Sequence, residues 1–321
     1  MKKSLVILLV CILSLSFMLA ACGGDPEPEV YEPTDPAPAA TNVAISYKAG
    51  TYYTEITFGR YPQTEVTDQA VIEALNGVGS PDATTGYYKY NDNDYAKIEV
   101  EKENKETGEK EIVNYWYIVE PIKWYVLDES NNQILAVSAS NLDCMKYNET
   151  LRDIDWSKCT LRNWLSSLGE YSTNGFYTSA FNAEEQSVIL TQTHTTENNP
   201  RYPQVNEKGE TIVPATVKDR VSLLSIEQLE GTESWTVDSF KDTALRACPS
   251  TEYANRKGAA IMTSYALRTS SWWWLRNTGS YAQNAAYVGE SGETALAGYT
   301  VSFNQIGVRP AIVLDASHVT K

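Results

Sequence analysis

Strand-like and helix-like segments follow one another in three blocks along this chain, and their order limits the folds open to it. Alternating apolar and polar residues predict a strand at 53–61 and a hairpin formed by 97–101 and 111–119. Helical spacing dominates the middle, as in residues 157–168, and strands return from residue 271 onward. Blocks of strands, helices and strands predict a single compact α+β domain with mostly antiparallel strands and short helices.

Turn and capping residues extend this prediction. Asn131-Asn132 predicts a turn between strands at 123–127 and 133–138. A helix is predicted at 67–75, and capping boxes open two more helices at Asn182 and Ser225. The last block predicts strands at 271–276, 285–289, 299–303 and 308–314.

The first 22 residues have the three parts of a secretory signal. Lys2 and Lys3 precede an apolar stretch, and small residues then lead to Cys22. The ending is similar to that of bacterial lipoprotein signals, in which a diacylglyceryl group joins the cysteine and cleavage falls before it. We therefore expect residues 1–21 to be a signal peptide and Cys22 to be the lipid site. A plain signal peptide and a transmembrane anchor are the alternatives, but the stretch is short for a span of about 20 residues.

Composition divides the rest of the chain. Residues 22–45 are rich in proline and acids, which predicts an extended tether without a core. The folded domain is expected at 46–316, followed by a tail at 317–321. The net charge is −15, so nucleic acid is not an expected partner, and contact with the membrane should come from the lipid alone.

Cysteine and histidine usage restricts the chemistry. After the signal, Cys144, Cys159 and Cys248 remain. Cys144 and Cys159 could form a disulfide, or all three could be buried thiols that pack as small hydrophobes. The chain has only 2 histidines, so a multi-histidine metal site is excluded. We expect no metal and no cofactor.

Several spaced motifs resemble an uncharacterised domain of extracellular proteins from low-GC Gram-positive bacteria. The most specific are Trp273-Trp274-Leu275-Arg276 and the closing Gly307-Val308-Arg309-Pro310-Ala311, and the resemblance spans about residues 50–315. The ending is also similar to the C-terminal core of the formylglycine-generating-enzyme and C-type-lectin-like folds. That similarity implies a compact α+β fold with one irregular, loop-covered face.

The tryptophan run carries its own structural prediction. In a strand, Trp272 and Trp274 face one side and Trp273 faces the other, so the three cannot line one pocket. We expect Trp273 and Trp274 to be structural, together with Arg276 and Arg309, whose guanidinium groups can tie several carbonyls together. Ligand contact is the alternative role for the two arginines.

No catalytic set is evident. The sulfatase-activating enzymes of the related fold depend on a cysteine pair near the C-terminus, and Cys248 stands alone there. The calcium-binding sugar motifs of the lectins are missing, and no Gly-x-Ser-x-Gly elbow occurs.

The chain is instead rich in aromatic residues, with 21 tyrosines and 8 tryptophans. Aromatic planes stack on sugar rings and anchor protein interfaces. The expected ligand-binding residues are Trp272, Asn277, Tyr281 and Asn284, with Tyr287 beside them. The sequence predicts a membrane-anchored extracellular lipoprotein whose domain binds a glycan, peptide or cell-envelope component without catalysis. An enzyme derived from the formylglycine-generating fold and a structural envelope protein are the alternatives.

Overall fold

The computed structural model describes residues 27–34, 43–50, 52–105, 107–196, 214–230, 242–263 and 269–320, together with residues 199, 201, 202, 205, 209 and 210. Cys22 and the signal segment lie outside the described residues. Within the described part, no helix is long and apolar enough to cross a membrane.

Most of the described strands are short, apart from three long ones in the first half of the chain. In chain order they are β1 (Val43–Ala44), β2 (Ser46–Ala49), β3 (Thr54–Glu65), β4 (Tyr88–Tyr90), β5 (Asn93–Glu103), β6 (Lys110–Ser130), β7 (Gln133–Ser138), β8 (Asp143–Cys144), β9 (Gln192–Thr195), β10 (Thr216–Asp219), β11 (Val221–Ser222), β12 (Met262–Thr263), β13 (Thr269–Ser270), β14 (Trp273–Thr278), β15 (Asn284–Val288), β16 (Thr294–Thr300), β17 (Gly307–Val308), β18 (Ala311–Asp315) and β19 (Val319–Thr320).

The helices are all short. They are α1 (Gln69–Asn76), α2 (Thr160–Leu165), α3 (Phe176–Ala180), α4 (Ala183–Val188), α5 (Ile226–Glu230), α6 (Thr243–Arg246) and α7 (Glu252–Arg256), with 3-10 turns at Gly169–Tyr171 and Ala316–His318.

Two sheets form the body. The larger has 8 strands in the order β11-β18-β7-β6-β3-β2, with β5 also paired to β6 and β4 paired to β5, and all its pairs are antiparallel. The smaller has 5 strands in the order β16-β15-β14-β17-β8, with one parallel pair, β14 and β17. The described part is therefore mixed α+β with mostly antiparallel strands, as the sequence predicts.

Local turn chemistry explains the hairpins. Asn131 and Asn132 join β6 to β7 with φ of 50° and 62°, and Asn91 and Asp92 join β4 to β5 with φ of 45° and 62°. Two consecutive residues in the left-handed conformation match the twist of the strands in a two-residue hairpin. Apart from glycine, Asn and Asp adopt this conformation most readily. The predicted turn at Asn131-Asn132 is confirmed.

Helix capping also follows the sequence. The Asn182 side chain accepts a hydrogen bond from the Glu185 N–H, and the Glu185 side chain accepts one from the Asn182 N–H. The same reciprocal pair joins Ser225 and Gln228 before α5. Both predicted capping boxes are confirmed, and Asp68 caps α1 in the predicted helix at 67–75.

Several predicted elements differ from the structure. The strands expected at 111–119 and 123–127 are parts of one long strand, β6. The helix expected at 157–168 is limited to α2, which ends before Ser167, a residue with φ of 53°. The strand expected at 299–303 lies earlier, as β16, because the Phe303 N–H turns back to Thr300 O. The strand expected at 308–314 is divided between the two sheets as β17 and β18. Pro310 stands at this division, since it has no N–H to donate to a ladder.

The core has two main hydrophobic clusters, and neighbouring tryptophans of one strand belong to different clusters. Trp274 belongs to the larger cluster, with Trp272 packed against its edge, whereas Trp273 belongs to the second cluster. The predicted alternation of the three rings is thus confirmed. Both Trp273 and Trp274 are fully buried, so the tryptophan-rich strand joins the two clusters.

Candidate functional site

The two closing motifs meet in the smaller sheet. Trp273 pairs in parallel with Gly307, and the Gly307 N–H donates to Trp272 O at 2.9 Å. A Cβ on Gly307 would lie only 2.5 Å from Asn141 Nδ2, so the close approach of the chain here requires glycine.

Arg309 lies at the joint between the sheets. Its guanidinium donates to Ser138 O at 2.9 Å and to Arg246 O at 3.1 Å, and it lies 5.0 Å from the centre of the Trp273 ring. Trp273 also donates its indole N–H to Arg246 O. The Arg246 carbonyl, the Trp273 ring and the Arg309 guanidinium thereby connect residues from both sheets.

The other two predicted structural residues also bond internally. Arg276 donates to Leu223 O at 2.8 Å and to Gln228 Oε1 at 3.1 Å. The Trp274 indole N–H donates to Met145 O at 2.9 Å. The Arg276 contacts join the tryptophan-rich strand to the segments that precede and open α5, and the Trp274 contact joins it to the residue after β8.

Four aromatic rings lie together at the edge of the larger core cluster. We call this group, Trp272, Tyr287, Tyr299 and Phe303, the aromatic strip. Trp272 lies 5.0 Å from Tyr287 and 6.1 Å from Tyr299, and Tyr299 lies 4.2 Å from Phe303, between ring centres. Tyr299 is 38% exposed. The strip therefore offers ring surface to solvent while it remains supported by the core.

A single acid holds the Trp272 ring in place. The indole N–H of Trp272 donates to Glu290 Oε2 at 2.6 Å, and the Ser270 hydroxyl donates to the Glu290 backbone carbonyl at 2.7 Å. The pKa of Tyr287 is raised, mainly by burial and to a smaller extent by the nearby Glu290 carboxylate. The tyrosine hydroxyl is therefore neutral, and can donate or accept hydrogen bonds, at physiological pH.

The sequence-predicted ligand residues do not all join this strip. Asn277 is fully buried, where its side chain accepts from the Ile226 N–H and donates to Glu227, so it caps α5. Tyr281 is 72% exposed and lies with Asn284 in the turn between β14 and β15. Of the four, Trp272 is the residue whose ring contacts define the strip.

Tyr299 and Phe303 were not predicted as site residues. The signal that could have found them is a pair of aromatic residues, Tyr299 and Phe303, that alternate with the buried apolar Val301 between them.

A small polar cavity, the serine cavity, opens close to the strip. It has a volume of about 100 Å³ and is lined by Ser250, Asn255, Ile261, Ser270 and Ser271. The buried Asn255 Oδ1 accepts no hydrogen bond from the described residues. The serine hydroxyl oxygens of the lining can accept hydrogen bonds, so the cavity suits a hydroxyl or amide N–H of a ligand.

A wider concavity of about 340 Å³ lies on the other side of Asn255. Glu65, Glu252 and Arg256 line it with Asn255. Arg256 donates to Glu65 at 3.0 Å and to the Tyr117 hydroxyl at 3.1 Å, so its charge is already engaged. Asn255 thus separates a small polar cavity from a wider charged groove.

The cysteines are not arranged for redox chemistry. Cys144, Cys159 and Cys248 are free, buried thiols. Burial raises the pKa of Cys144 and Cys159 to about 12, and it also raises the pKa of Cys248. All three are therefore protonated at neutral pH. Among the described residues, no group of three or more His, Cys, Asp or Glu side chains could hold a metal ion.

Comparison with known families agrees with the position of these motifs. A family model described as "Domain of unknown function (DUF6273)" matches residues 123–316, which include β14, β17 and the whole aromatic strip. No curated protein matches the chain. No solved structure matches it either.

Proposed function

The chain belongs to the DUF6273 family, a domain of unknown function, and we propose that it is a lipid-anchored extracellular protein whose domain binds a neutral glycan without catalysis. The observation that carries the proposal is the aromatic strip, a set of four touching rings of which Tyr299 is open to solvent. Flat aromatic surface packs against the apolar face of a sugar ring.

The polar groups beside the strip favour a glycan over an apolar peptide. The Ser270 and Ser271 hydroxyls donate to backbone carbonyls, and their oxygens can still accept hydrogen bonds from sugar hydroxyl or acetamido N–H groups. The net charge of −15 works against anionic ligands. A neutral, hydroxyl-rich cell-envelope component therefore suits the site best.

The alternative proposal, an enzyme derived from the formylglycine-generating fold, has one observation in its favour. The serine cavity lies beside Ser271, which pairs with Cys248. However, the Cys248 sulfur lies 3.4 Å from Pro249 O and 3.9 Å from Ala139 O, and its pKa is raised. The thiolate is the reactive form of cysteine, so this geometry supports binding rather than thiol chemistry.

We also infer a distant relationship to the formylglycine-generating-enzyme and C-type-lectin-like folds. Its support is the pairing of the tryptophan-rich β14 with β17, which contains the first two residues of the Gly307-x-Arg309 segment. An experimental structure compared with both folds tests this relationship. We likewise propose that the domain originates from low-GC Gram-positive bacteria.

Loss of one ring of the strip should weaken recognition. In the chain from residue 23 onward, Trp272→Ala and Tyr299→Ala should each weaken binding of a neutral envelope oligosaccharide at least about 10-fold, because each removes a stacking plane. A glycan array identifies the oligosaccharide, and calorimetry measures its dissociation constant.

The matched control is Tyr52→Ala, a tyrosine that is 65% exposed and outside the strip. It should bind as tightly as the parent. Equal affinities for Trp272→Ala and the parent would contradict the strip as the binding site. No glycan bound at all, while an envelope protein is captured, would favour the structural-protein alternative.

Anchoring is tested separately at Cys22. Cys22→Ala removes the proposed diacylglyceryl acceptor, so the protein should leave the membrane fraction, where two acyl chains hold it stably. Fractionation followed by mass spectrometry of the N-terminal peptide measures this. Cys248→Ala, in the folded domain, is the control that should remain in the membrane fraction. Membrane retention of Cys22→Ala would contradict the lipid anchor.

A further inference from the structure

Eight residues of the predicted tether lie against the domain. Residues 27–34 carry Glu27, which forms an ion pair with Lys158, and Glu32, which accepts from the Lys218 N–H at 2.9 Å. Thr34 accepts hydrogen bonds from the Arg220 guanidinium through its backbone and hydroxyl oxygens. We call residues 27–34 the strap.

The strap is packed as well as charged. Pro33 is buried, and the Tyr31 ring lies over Gly169, where a Cβ would be 2.9 Å from the ring. Gly169 also has φ of 56°, a left-handed conformation that favours glycine. The domain surface therefore has a shape that accommodates this tyrosine.

The surface beneath the strap has the opposite charge. We call Lys158, Arg162, Lys218 and Arg220 the cationic groove. Lys158, Arg162 and Arg220 contact the strap through their charged groups, and Lys218 contacts it through its backbone N–H, in a protein whose net charge is −15. The strap contributes three glutamates and no basic residue. This local complementarity runs against the overall charge and draws the acidic strap to this face.

One member of the groove is built into the core. Arg162 is fully buried, donates to Asp219 Oδ1 at 2.6 Å and to Ser157 O at 2.9 Å, and still places Nη2 3.7 Å from Glu32 Oε1. A guanidinium held in this way loses little freedom when the strap arrives, which favours docking.

We propose that the cationic groove is a recognition site for acidic, proline-containing peptide segments, and that the strap of the same chain occupies it. Docking sets the reach of the tether. Residues 22–45 at about 3.1 Å per residue would reach roughly 70 Å when extended. With the strap docked, the five residue steps from Cys22 to Glu27 span at most about 18 Å.

The docked strap therefore holds this face of the domain close to whatever anchors residue 22. The effect on reach rests on the proposed lipid anchor, whereas strap docking itself does not. A test on the soluble mature chain, with Cys22→Ser, separates the two.

Double electron–electron resonance measures docking directly. Spin labels are placed at Val30→Cys in the strap and Leu151→Cys on the domain, both exposed, while the three native thiols are buried. The parent should show one narrow distance distribution. Glu27→Lys with Glu32→Lys should lose that narrow peak and give a broad, longer distribution.

The strap variant leaves the groove intact, so the fold of the domain is preserved. The matched control is Glu103→Lys with Glu111→Lys, two exposed acids elsewhere with the same change in charge, and it should keep the narrow peak. A broad distribution in the parent, or a narrow one in the strap variant, would overturn the proposal. Loss of the narrow peak on dilution with unlabelled chain would show docking between copies and overturn docking within one chain.

Discussion

Replacing Arg162 with Met is expected to lower the free energy of unfolding by about 3–5 kcal/mol, the usual cost of breaking a buried ion pair from one side. Arg162 and Asp219 are both fully buried, and the Trp156 indole N–H also donates to Asp219 at 2.7 Å. Without Arg162 the carboxylate keeps the Trp156 donor but loses its ion-pair partner, and the favourable charge that remains is the weaker influence of Arg276. Urea unfolding followed by tryptophan fluorescence measures the loss.

The control is an exposed pair, Lys110 with Glu101. Lys110→Ala should change stability by about 0–1 kcal/mol, since surface pairs contribute little. Adding Asp219→Asn to Arg162→Met removes the unpaired charge and should recover part of the loss. A loss in Arg162→Met no larger than in Lys110→Ala would show that the pair does not hold the domain together.

The pH dependence of the Arg162→Met loss has a definite sign. Burial, opposed by Arg162, already raises the pKa of Asp219. A carboxyl whose pKa is higher in the folded than in the unfolded chain stabilises the fold at low pH, and that stability is lost as pH rises. Removing Arg162 raises the folded-state pKa further. The deficit should therefore shrink as the pH falls and Asp219 becomes protonated, because the neutral acid needs no counter-charge.

Arg309→Met is expected to cost about 2–4 kcal/mol. The substitution leaves the Ser138 carbonyl without its guanidinium donor, and leaving a buried polar group unsatisfied costs about 1–3 kcal/mol. It also removes the cation–π contact with Trp273. Arg246 O keeps the Trp273 indole donor, which limits the loss. The same urea experiment measures it.

Two further variants make the Arg309 result specific. Arg309→Lys keeps the charge but lacks the planar fork that reaches two carbonyls, so an intermediate loss is expected. Arg201→Met, at an exposed arginine, should stay within about 0.5 kcal/mol of the parent. If Arg309→Lys is as stable as the parent, charge alone explains the role of Arg309, and the bridging geometry does not.

Local elements could be predicted from the sequence because their causes lie within a few residues. Asn131 and Asn132 favour left-handed backbone, and Asn182 and Glu185 cap each other across one turn. The alternation of Trp272, Trp273 and Trp274 follows from strand geometry, whatever the rest of the fold.

The site required long-range information. Asn277 has the composition of a ligand residue, but its partner is the Ile226 N–H, 51 positions away, which turns it into a helix cap. Pro310 marks a local break in the strand pattern of residues 308–314, but nothing local shows that the chain passes there from one sheet to the other. The aromatic strip likewise joins Trp272 to Tyr299 through pairings among β14, β15 and β16.

The sequence by itself determined the α+β class, the main turns and caps, and the family motifs, because periodicity and turn chemistry act over short distances. The tertiary structure alone decided which aromatic rings share one face, where the guanidinium groups find carbonyls, and that an acidic strap meets a cationic groove. Those features depend on which distant segments come together. Burial then decides whether a polar side chain caps a helix, bridges two sheets or forms part of a binding surface.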